Sequence, residues 1–367
     1  MSSAFALYRL PHADRYVRLE GKTQEFSSCA LLNGRSGFVI APFQVTSGQP
    51  VVLIEPERVE SVALSSQSSP SSLSSLSSLS SPSSQSGGSY HIDFSNFHAQ
   101  LCQGTFRKIV LARCADEMQA SPVEPEKLFL RACSLYPRMF IALVYTPQSG
   151  MWLTATPEIL LEGEGERWRT IALAGTMKLE GSQLQGEGET VTWSTKNIEE
   201  QRIVATYIAE CLEHFTGDFT EEGPRTVRAA NLVHLRSDFT FTLPANDHLG
   251  DLLLALHPTP AVCGLPKREA FDFIVHNEHT PRRYYSGFMG PLNMESSGEA
   301  DSSLIPHPSS LKSTHLYVSL RCMNIDGNRY HLYAGGGLLM DSVEEQEWQE
   351  TEAKLETMRR LLDRITG

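Results

Sequence analysis

Apolar and polar positions alternate with a period of two along most of this chain, and that period predicts strands. Five runs beyond residue 105 are read this way: FRKIVLARCADEM from Phe106, MFIALVYTP from Met139, MWLTATPEILLEG from Met151, WRTIALAGTMK from Trp168 and THLYVSLRCMNIDGNRYHLYAGGGLLM from Thr314. The last holds two such runs around Asp326-Gly327, a pair that favours a hairpin turn. Upstream, SGFVIAPF and PVVLIEP are short apolar runs bounded by Gly and Pro, again strands. Spacing suited to parallel βαβ units does not dominate. The expected class is therefore α+β, with mixed or antiparallel sheets and helices packed outside.

Two stretches switch to the helical period. One is NIEEQRIVATYIAECLEHF, after Lys196; the other is VEEQEWQETEAKLETMRRLLDRI, at Val343. In the second, Val343, Glu347, Glu350, Lys354, Met358, Leu361 and Ile365 trace one face. The C-terminal half of that stripe is apolar, and its N-terminal half carries two carboxylates and a lysine. Ser342 with Glu345 predicts a capping box. In the first helix, Asn197, Glu200, Val204, Tyr207, Cys211 and Phe215 share a face. First-turn glutamates ordinarily face water and complement the helix dipole. Carboxylates on the core-side stripe of two helices point instead to a shared cation site, and Mg²⁺ takes a few carboxylates while water and substrate complete its shell.

Residues 65–89 are serine broken by isolated leucines, too polar to offset their ordering entropy, and are expected to be a flexible insertion. A second polar loop is expected over 294–313. The overall composition, 41% hydrophobic and 20% charged in 367 residues, is that of a globular protein. A net charge of −12 argues against a nucleic-acid partner, which needs a basic face. It also requires any anionic substrate to meet local positive charge. The seven cysteines, odd in number and without a CxxC pair, are expected as free thiols in a reducing compartment. There is no signal-type or membrane-length apolar run, so a cytoplasmic protein with no membrane partner is expected.

Single residues add chemistry. Lys108, mid-strand between Phe106 and Ile109, is either an edge lysine reaching solvent or a desolvated one suited to general-base work. Arg321, mid-strand in YVSLRCM, is a surface charge or a carboxylate clamp. Gly335-Gly336-Gly337 belongs to no nucleotide motif; it ends a strand or lets backbone amides approach an anion. HNEHT, with His276 and His279, lacks the HExxH spacing of a zinc site.

From about Phe94 onward the chain resembles the chorismate-utilising enzymes. The stretches that carry the resemblance are, in order, KIVLAR, TPEILL, LAGT, KNIEEQRIV, NLVHL, LHPTPAVCGLP, an E-x-x-x-R-x-x-Y-x-G pattern from Glu278, SLRCMNI, YAGGG and EWQETEAKL. The resemblance implies two packed sheets with helices on the outer faces in one large domain. Residues 1–92 would be the N-terminal part of that domain, carrying the serine-rich insertion, and 93–367 the chorismate-binding catalytic region. It implies Glu200 and Glu350 as Mg²⁺ ligands, with Glu347 bound through water or just behind. Lys108 would be the base that activates water and Glu158 the acid that protonates the departing hydroxyl. Gly175, Thr176 and His234 would surround the ring and its carboxylate. Tyr285, Arg321 and the amides near Gly335 and Gly337 would hold the enolpyruvyl carboxylate, and Lys354 would stand near the metal and the ring carboxylate. At Asn197 relatives often carry an acid.

Within the family the expectation is conversion of chorismate to isochorismate, on generality for menaquinone, by a monomer. The amine-transferring branch carries glutamine where Lys108 stands and draws on a glutaminase partner, which is not expected here. Salicylate-forming relatives tend to have a hydroxyl residue at the position of Ala261. An inactive chorismate-binding protein would have lost the acid or the base, and both are present.

Overall fold

The computed structural model describes residues 4–64, 86–178, 191–229, 232–244, 247–295 and 312–363. Among them, seventeen strands join into one hydrogen-bonded sheet, and every pairing is antiparallel. The mixed alternative therefore drops out. One arm runs β10 (Phe219–Ala229), β11 (Leu232–Thr242), β9 (Arg167–Lys178), β8 (Ile159–Glu164), β15 (Lys312–Val318), β13 (Phe288–Leu292) and β3 (Gly37–Ala41). The short β14 (Met294–Glu295) adds to β15. Three strands form the joint: β4 (Val51–Ala63), β2 (Arg15–Phe26) and β1 (Ala4–Arg9). The other arm runs β6 (Phe140–Thr146), β7 (Gly150–Thr156), β16 (Cys322–Asp326), β17 (Arg329–Leu338), β5 (Lys108–Met118) and β12 (Gly264–Leu265).

The two arms face each other. Phe140 of β6 stacks on Tyr317 of β15 at 4.3 Å, and Tyr8 of β1 meets Phe38 of β3 at 5.5 Å. Among the described residues six α-helices cover the outside: α1 (Ser86–Cys102), α2 (Pro125–Leu135), α3 (Thr195–Glu213), α4 (Leu249–Leu256), α5 (Lys267–Asn277) and α6 (Glu344–Leu362). Helices α3 and α4 pack on the first arm, α2 and α6 on the second, and α1 and α5 over the start of β5. This is the expected pair of packed sheets, continuous through β4, β2 and β1. Strand β6 shows why its run FIALV is apolar throughout. Phe140, Ala142 and Val144 face the opposing arm while Ile141 and Leu143 face α2 and α6, so both faces are buried.

Several local expectations change. Lys108 opens β5 instead of lying mid-strand. The strand through Arg321 breaks there: β15 ends at Val318, β16 begins at Cys322, and Arg321 takes a left-handed φ of 45°. The hairpin around Asp326-Gly327 holds, pairing Asp326 with Arg329. The capping box at Ser342 does not form. Val343 is the N-cap and is 51% exposed, while Ser342 Oγ accepts a bond from the Leu339 amide at 3.0 Å. On α3 the buried line is Glu200, Val204, Ile208 and Leu212, with Tyr207, Cys211 and Phe215 only half-buried beside it. The serine-rich tract lies outside the described residues up to 85, and its last four residues open α1. The second polar loop lies outside them from 296 to 311, as does Ile365. All seven cysteines are free, four of them buried.

Candidate active site

The elements converge on one cavity. It is lined by Glu158, Gly175, Thr176, Glu200, His234, Ala261, Tyr285, Arg321, Gly335, Gly337 and Lys354, together with Val110, Leu173, Ala174, Val262, Leu320, Tyr333 and Ala334. Lys108 reaches its edge, with Nζ 2.9 Å from Glu200 Oε1 but without the angles of a hydrogen bond. Glu347 and Glu350 stand off Gly336, and Glu200 stands off Gly337.

Each wall has a reason in the sequence. On β9, Gly175 is the extra residue of a bulge, because Thr176 pairs with His234 and Ala174 with Leu235. Its φ of +71° suits glycine, and a Cβ there would press on Asn197 of α3 at 3.1 Å. Next to Glu200, the Gln201 amide accepts from the Ala174 N–H at 2.9 Å and donates to Ala172 O at 3.1 Å, fixing α3 on β9. Helix α6 is fastened to β5 by Arg113, which donates to Thr351 Oγ1 at 2.7 Å and lies 3.8 Å over the Trp348 ring. The Glu278–Arg282 pair is buried: Arg282 grips Glu278 through two nitrogens and donates to Val110 O and Val262 O, while Glu278 accepts from the Ala112 amide. That pair carries Tyr285 into the cavity, where its ring stacks on Tyr333 at 5.5 Å.

The charges are arranged in pairs. Three lysines meet three glutamates: Lys108 with Glu200, Lys196 with Glu347, and Lys354 with Glu350 at 2.7 Å. Lys354 also donates to Gly335 O at 2.8 Å. Burial alone would raise Glu200, but Lys108, Lys196 and Lys354 together hold it below the usual carboxylate range. Glu347 is pushed up by burial and by neighbouring Glu350, against the pull of Lys196. Burial pushes Glu158 up to about 7, against the opposing pull of Lys108, Arg321 and Lys354. His234 is held well below its ordinary value by burial and then by Arg321 and Lys354, so it is neutral. Arg321 Nη2 donates to its Nε2, so Nδ1 carries the proton and faces Gly175 O at 3.2 Å.

Two observations bear on ligands. Arg321 is 5% exposed, and its Nε and Nη1 have no partner among the described residues. Buried donors of a guanidinium fork without acceptors suit an incoming carboxylate. Glu200, Glu347 and Glu350 supply the carboxylates a divalent cation takes, but among the described residues their oxygens do not all lie within 4.8 Å of one another, so the side chains would have to close on the ion. Glu347 Oε2 is buried with no hydrogen-bond partner among the described residues, and a Cβ at Gly336 would sit 3.2 Å from it. A Cβ at Gly337 would collide with Glu200 Oε1 and lie 2.8 Å from Lys108 Cε. Both glycines keep that space open.

Every candidate residue named from the sequence thus lies in or against this one cavity. Lys196, Gln201, Arg282 and Tyr333 were missed. Lys196 had a signal, since it stands four residues before Glu200 on the same helix face.

A family model described as chorismate binding enzyme matches residues 38–363. The isochorismate synthase MenF of Escherichia coli (strain K12) is 32% identical over 264 residues, 71% of this chain and 57% of that protein. The isochorismate synthase EntC of the same organism is 28% identical over 254 residues, 68% of this chain and 61% of that protein. The matches thus span less than two thirds of the length of these two relatives. Among solved structures, the menaquinone-specific isochorismate synthase MenF from Escherichia coli superposes with a TM-score of 0.77 at 24% identity, covering 99% of this chain and 89% of that one. Anthranilate synthase component I from Streptococcus pneumoniae gives 0.68 at 16% identity, covering 98% and 90%. The shared fold is the one described above.

Proposed function

The chain belongs to the chorismate-binding enzyme family, and from that premise we propose that it is a Mg²⁺-dependent isochorismate synthase. The observation that carries this is a buried lysine, Lys108, and a buried carboxyl near 7, Glu158, at one cavity with the unpartnered guanidinium of Arg321. Chorismate has two carboxylates. Arg321 and Tyr285, with the amides near Gly335 and Gly337, receive the enolpyruvyl carboxylate. Gly175, Thr176 and His234 border the ring carboxylate, with Lys354 near it.

Lys108 takes a proton from water as its oxygen bonds to ring C2. Both ring double bonds move by one position, C1=C2 to C1=C6 and C5=C6 to C4=C5, and the C4–O bond breaks, its oxygen leaving as water with the proton of Glu158. Glu200 and Glu350 would hold Mg²⁺, with Glu347 behind, and the ion would neutralise the ring carboxylate. Were Glu200 to turn to that cation, Lys108 Nζ, now 2.9 Å from Glu200 Oε1, would be free for the water. Ala261 offers no side-chain hydrogen bond in the cavity, which supports stopping at isochorismate. Residues 1–92 supply the strands that join the two arms, which supports one domain with its catalytic region over 93–367. We further read the enzyme as a cytoplasmic monomer that needs no glutaminase and supplies menaquinone synthesis. Purified protein with chorismate and Mg²⁺, without ammonia, should give isochorismate in a reversible mixture. Salicylate accumulating as fast as chorismate disappears would defeat the proposal.

The acid role sets a pH dependence. Glu158 must be protonated while Lys108 must be neutral, so both groups shape the pH dependence of kcat/KM. Glu158→Gln should lower kcat/KM by about 10²–10⁴-fold and remove the limb that the carboxyl sets; a rate within tenfold of wild type would remove Glu158 from the role. Lys196 is the pairing lysine with the freest exit, because its side chain is 21% exposed, Lys108 is fully buried and Lys354 is tied to Gly335. Lys196→Met should therefore tighten Mg²⁺ binding at least about tenfold by calorimetry and lower the Tm of the metal-free protein. Unchanged or weaker binding would mean that Lys196 does not compete with the cation.

A further inference from the structure

A second set of ligand-type side chains lies on the β5–β17 ladder. Cys114 and Asp116 are two residues apart on β5 and so share a face, and His331 lies directly opposite Asp116 on β17. Cys114 Sγ, an Asp116 oxygen and a His331 ring nitrogen all fall within 4.8 Å of one another. Asp116 Oδ1 is 2.6 Å from His331 Nδ1 and 3.7 Å from Cys114 Sγ. We propose that Cys114, Asp116 and His331 form a binding site for one transition-metal ion of the Zn²⁺ type, with water in the fourth position.

The geometry is near what such an ion needs. Bonds of about 2.0–2.3 Å in a tetrahedron place ligand atoms about 3.3–3.7 Å apart. The Cys114–Asp116 spacing already matches. The Asp116–His331 contact is a hydrogen bond that must open by about 0.7 Å, and its proton and that of the Cys114 thiol pass to solvent as the metal bonds form. One sulfur, one imidazole and one carboxylate select Zn²⁺ or Co²⁺ over Mg²⁺ or Ca²⁺, which prefer oxygen alone. Asp116 is 75% exposed, so the ion can enter from solvent, while Cys114 is half-buried and His331 is 28% exposed. The thiol does not act as a reactive nucleophile, since burial and then Asp116 push it up to about 12.

The position has a consequence. Cys114 pairs across the strands with Tyr333, whose ring stacks on Tyr285, and both tyrosines line the substrate cavity. Strand β5 begins at Lys108, and β17 runs through Gly335 and Gly337 to Leu338. An ion here clamps together the strands that carry those residues.

The test is a titration of the full chain with Co²⁺ and Zn²⁺ under reducing conditions. One equivalent of Co²⁺ should give a thiolate-to-metal charge-transfer band, and Zn²⁺ should raise the Tm. Cys114→Ser should remove both. His331→Ala, at a part-exposed ring, keeps the test decisive if the cysteine variant folds poorly, and its Zn²⁺ affinity should fall at least about tenfold. Two controls should keep the band. Cys102→Ser tests a cysteine that stands 3.7 Å from His98 on α1, and Glu350→Gln tests the acidic cluster. A wild-type protein without the band, or a band that survives Cys114→Ser, overturns the proposal. Neither result bears on isochorismate formation, which is assayed separately.

Discussion

Lys108→Gln should cut isochorismate formation by about 10²–10⁴-fold, the range lost with a positioned general base, while the protein still folds. Glutamine fits the space but its amide cannot take a proton near neutral pH. The site is sensitive because Lys108 is fully buried and faces Glu200 at 2.9 Å. Removing its charge leaves Glu200 with Lys196 and Lys354 as the nearby cations that lower it, so some loss of Tm is expected and circular dichroism should accompany the assay. Lys108→Arg separates charge from proton transfer. It keeps a cation beside Glu200 but cannot act as a base, so it should be as inactive as the glutamine variant while keeping more of the Tm. Activity within tenfold of wild type in Lys108→Gln would remove Lys108 from catalysis. An ammonium arm checks the nucleophile: aminated chorismate as the main product of the wild-type protein would refute water addition.

The strands of the two arms were legible because their faces differ in burial, or because runs such as FIALV are buried on both. Their closure into one antiparallel path was not legible, since β7 meets β16 and β8 meets β15 across gaps of about 150 residues that no local period records. Helices α3 and α6 announced themselves through long stripes. Helix α4 did not, because in LGDLLLAL apolar residues surround the axis and leave no polar face to set a period. Helix α1 has a good stripe in Tyr90, Phe94, Phe97 and Leu101, but it opens on Ser and Gly, poor helix formers. Glu200, Glu347 and Glu350 could be found as carboxylates on a core-side face. Glu158 could not. It sits between β7 and β8 with no periodic context, and only its motif placed it near the others. Arg321 was read as mid-strand, either a surface charge or a carboxylate clamp; the structure buries it and breaks the strand there. The left-handed break at that residue aims the guanidinium at His234 and the cavity, and a non-glycine residue with positive φ leaves no mark on an alternating run.

Glu350→Gln should lower turnover by about 10²–10³-fold, the cost of deleting one electrostatic stabiliser in a water-poor site, and should weaken Mg²⁺ binding in parallel. The substitution keeps the side-chain shape and removes one charge from a set in which three carboxylates balance three lysines. Lys354 loses its ion pair but keeps its bond to Gly335 O, so the wall of the cavity should hold. The stability of the metal-free variant should be close to wild type, because Glu350 is the most exposed of the three, at 24% against 12% for Glu200 and 2% for Glu347. Glu200→Gln should lose activity to a similar degree with a larger drop in Tm, since its buried partner Lys108 is left without a counter-charge. Glu345→Gln, one turn earlier and exposed, is the control and should leave both Mg²⁺ affinity and rate unchanged. Calorimetric titration with Mg²⁺ separates loss of the cation from loss of some other function of the carboxylate. Wild-type Mg²⁺ affinity in Glu350→Gln would move the cation elsewhere, and full activity of the wild-type protein in EDTA would exclude a divalent ion from the reaction altogether.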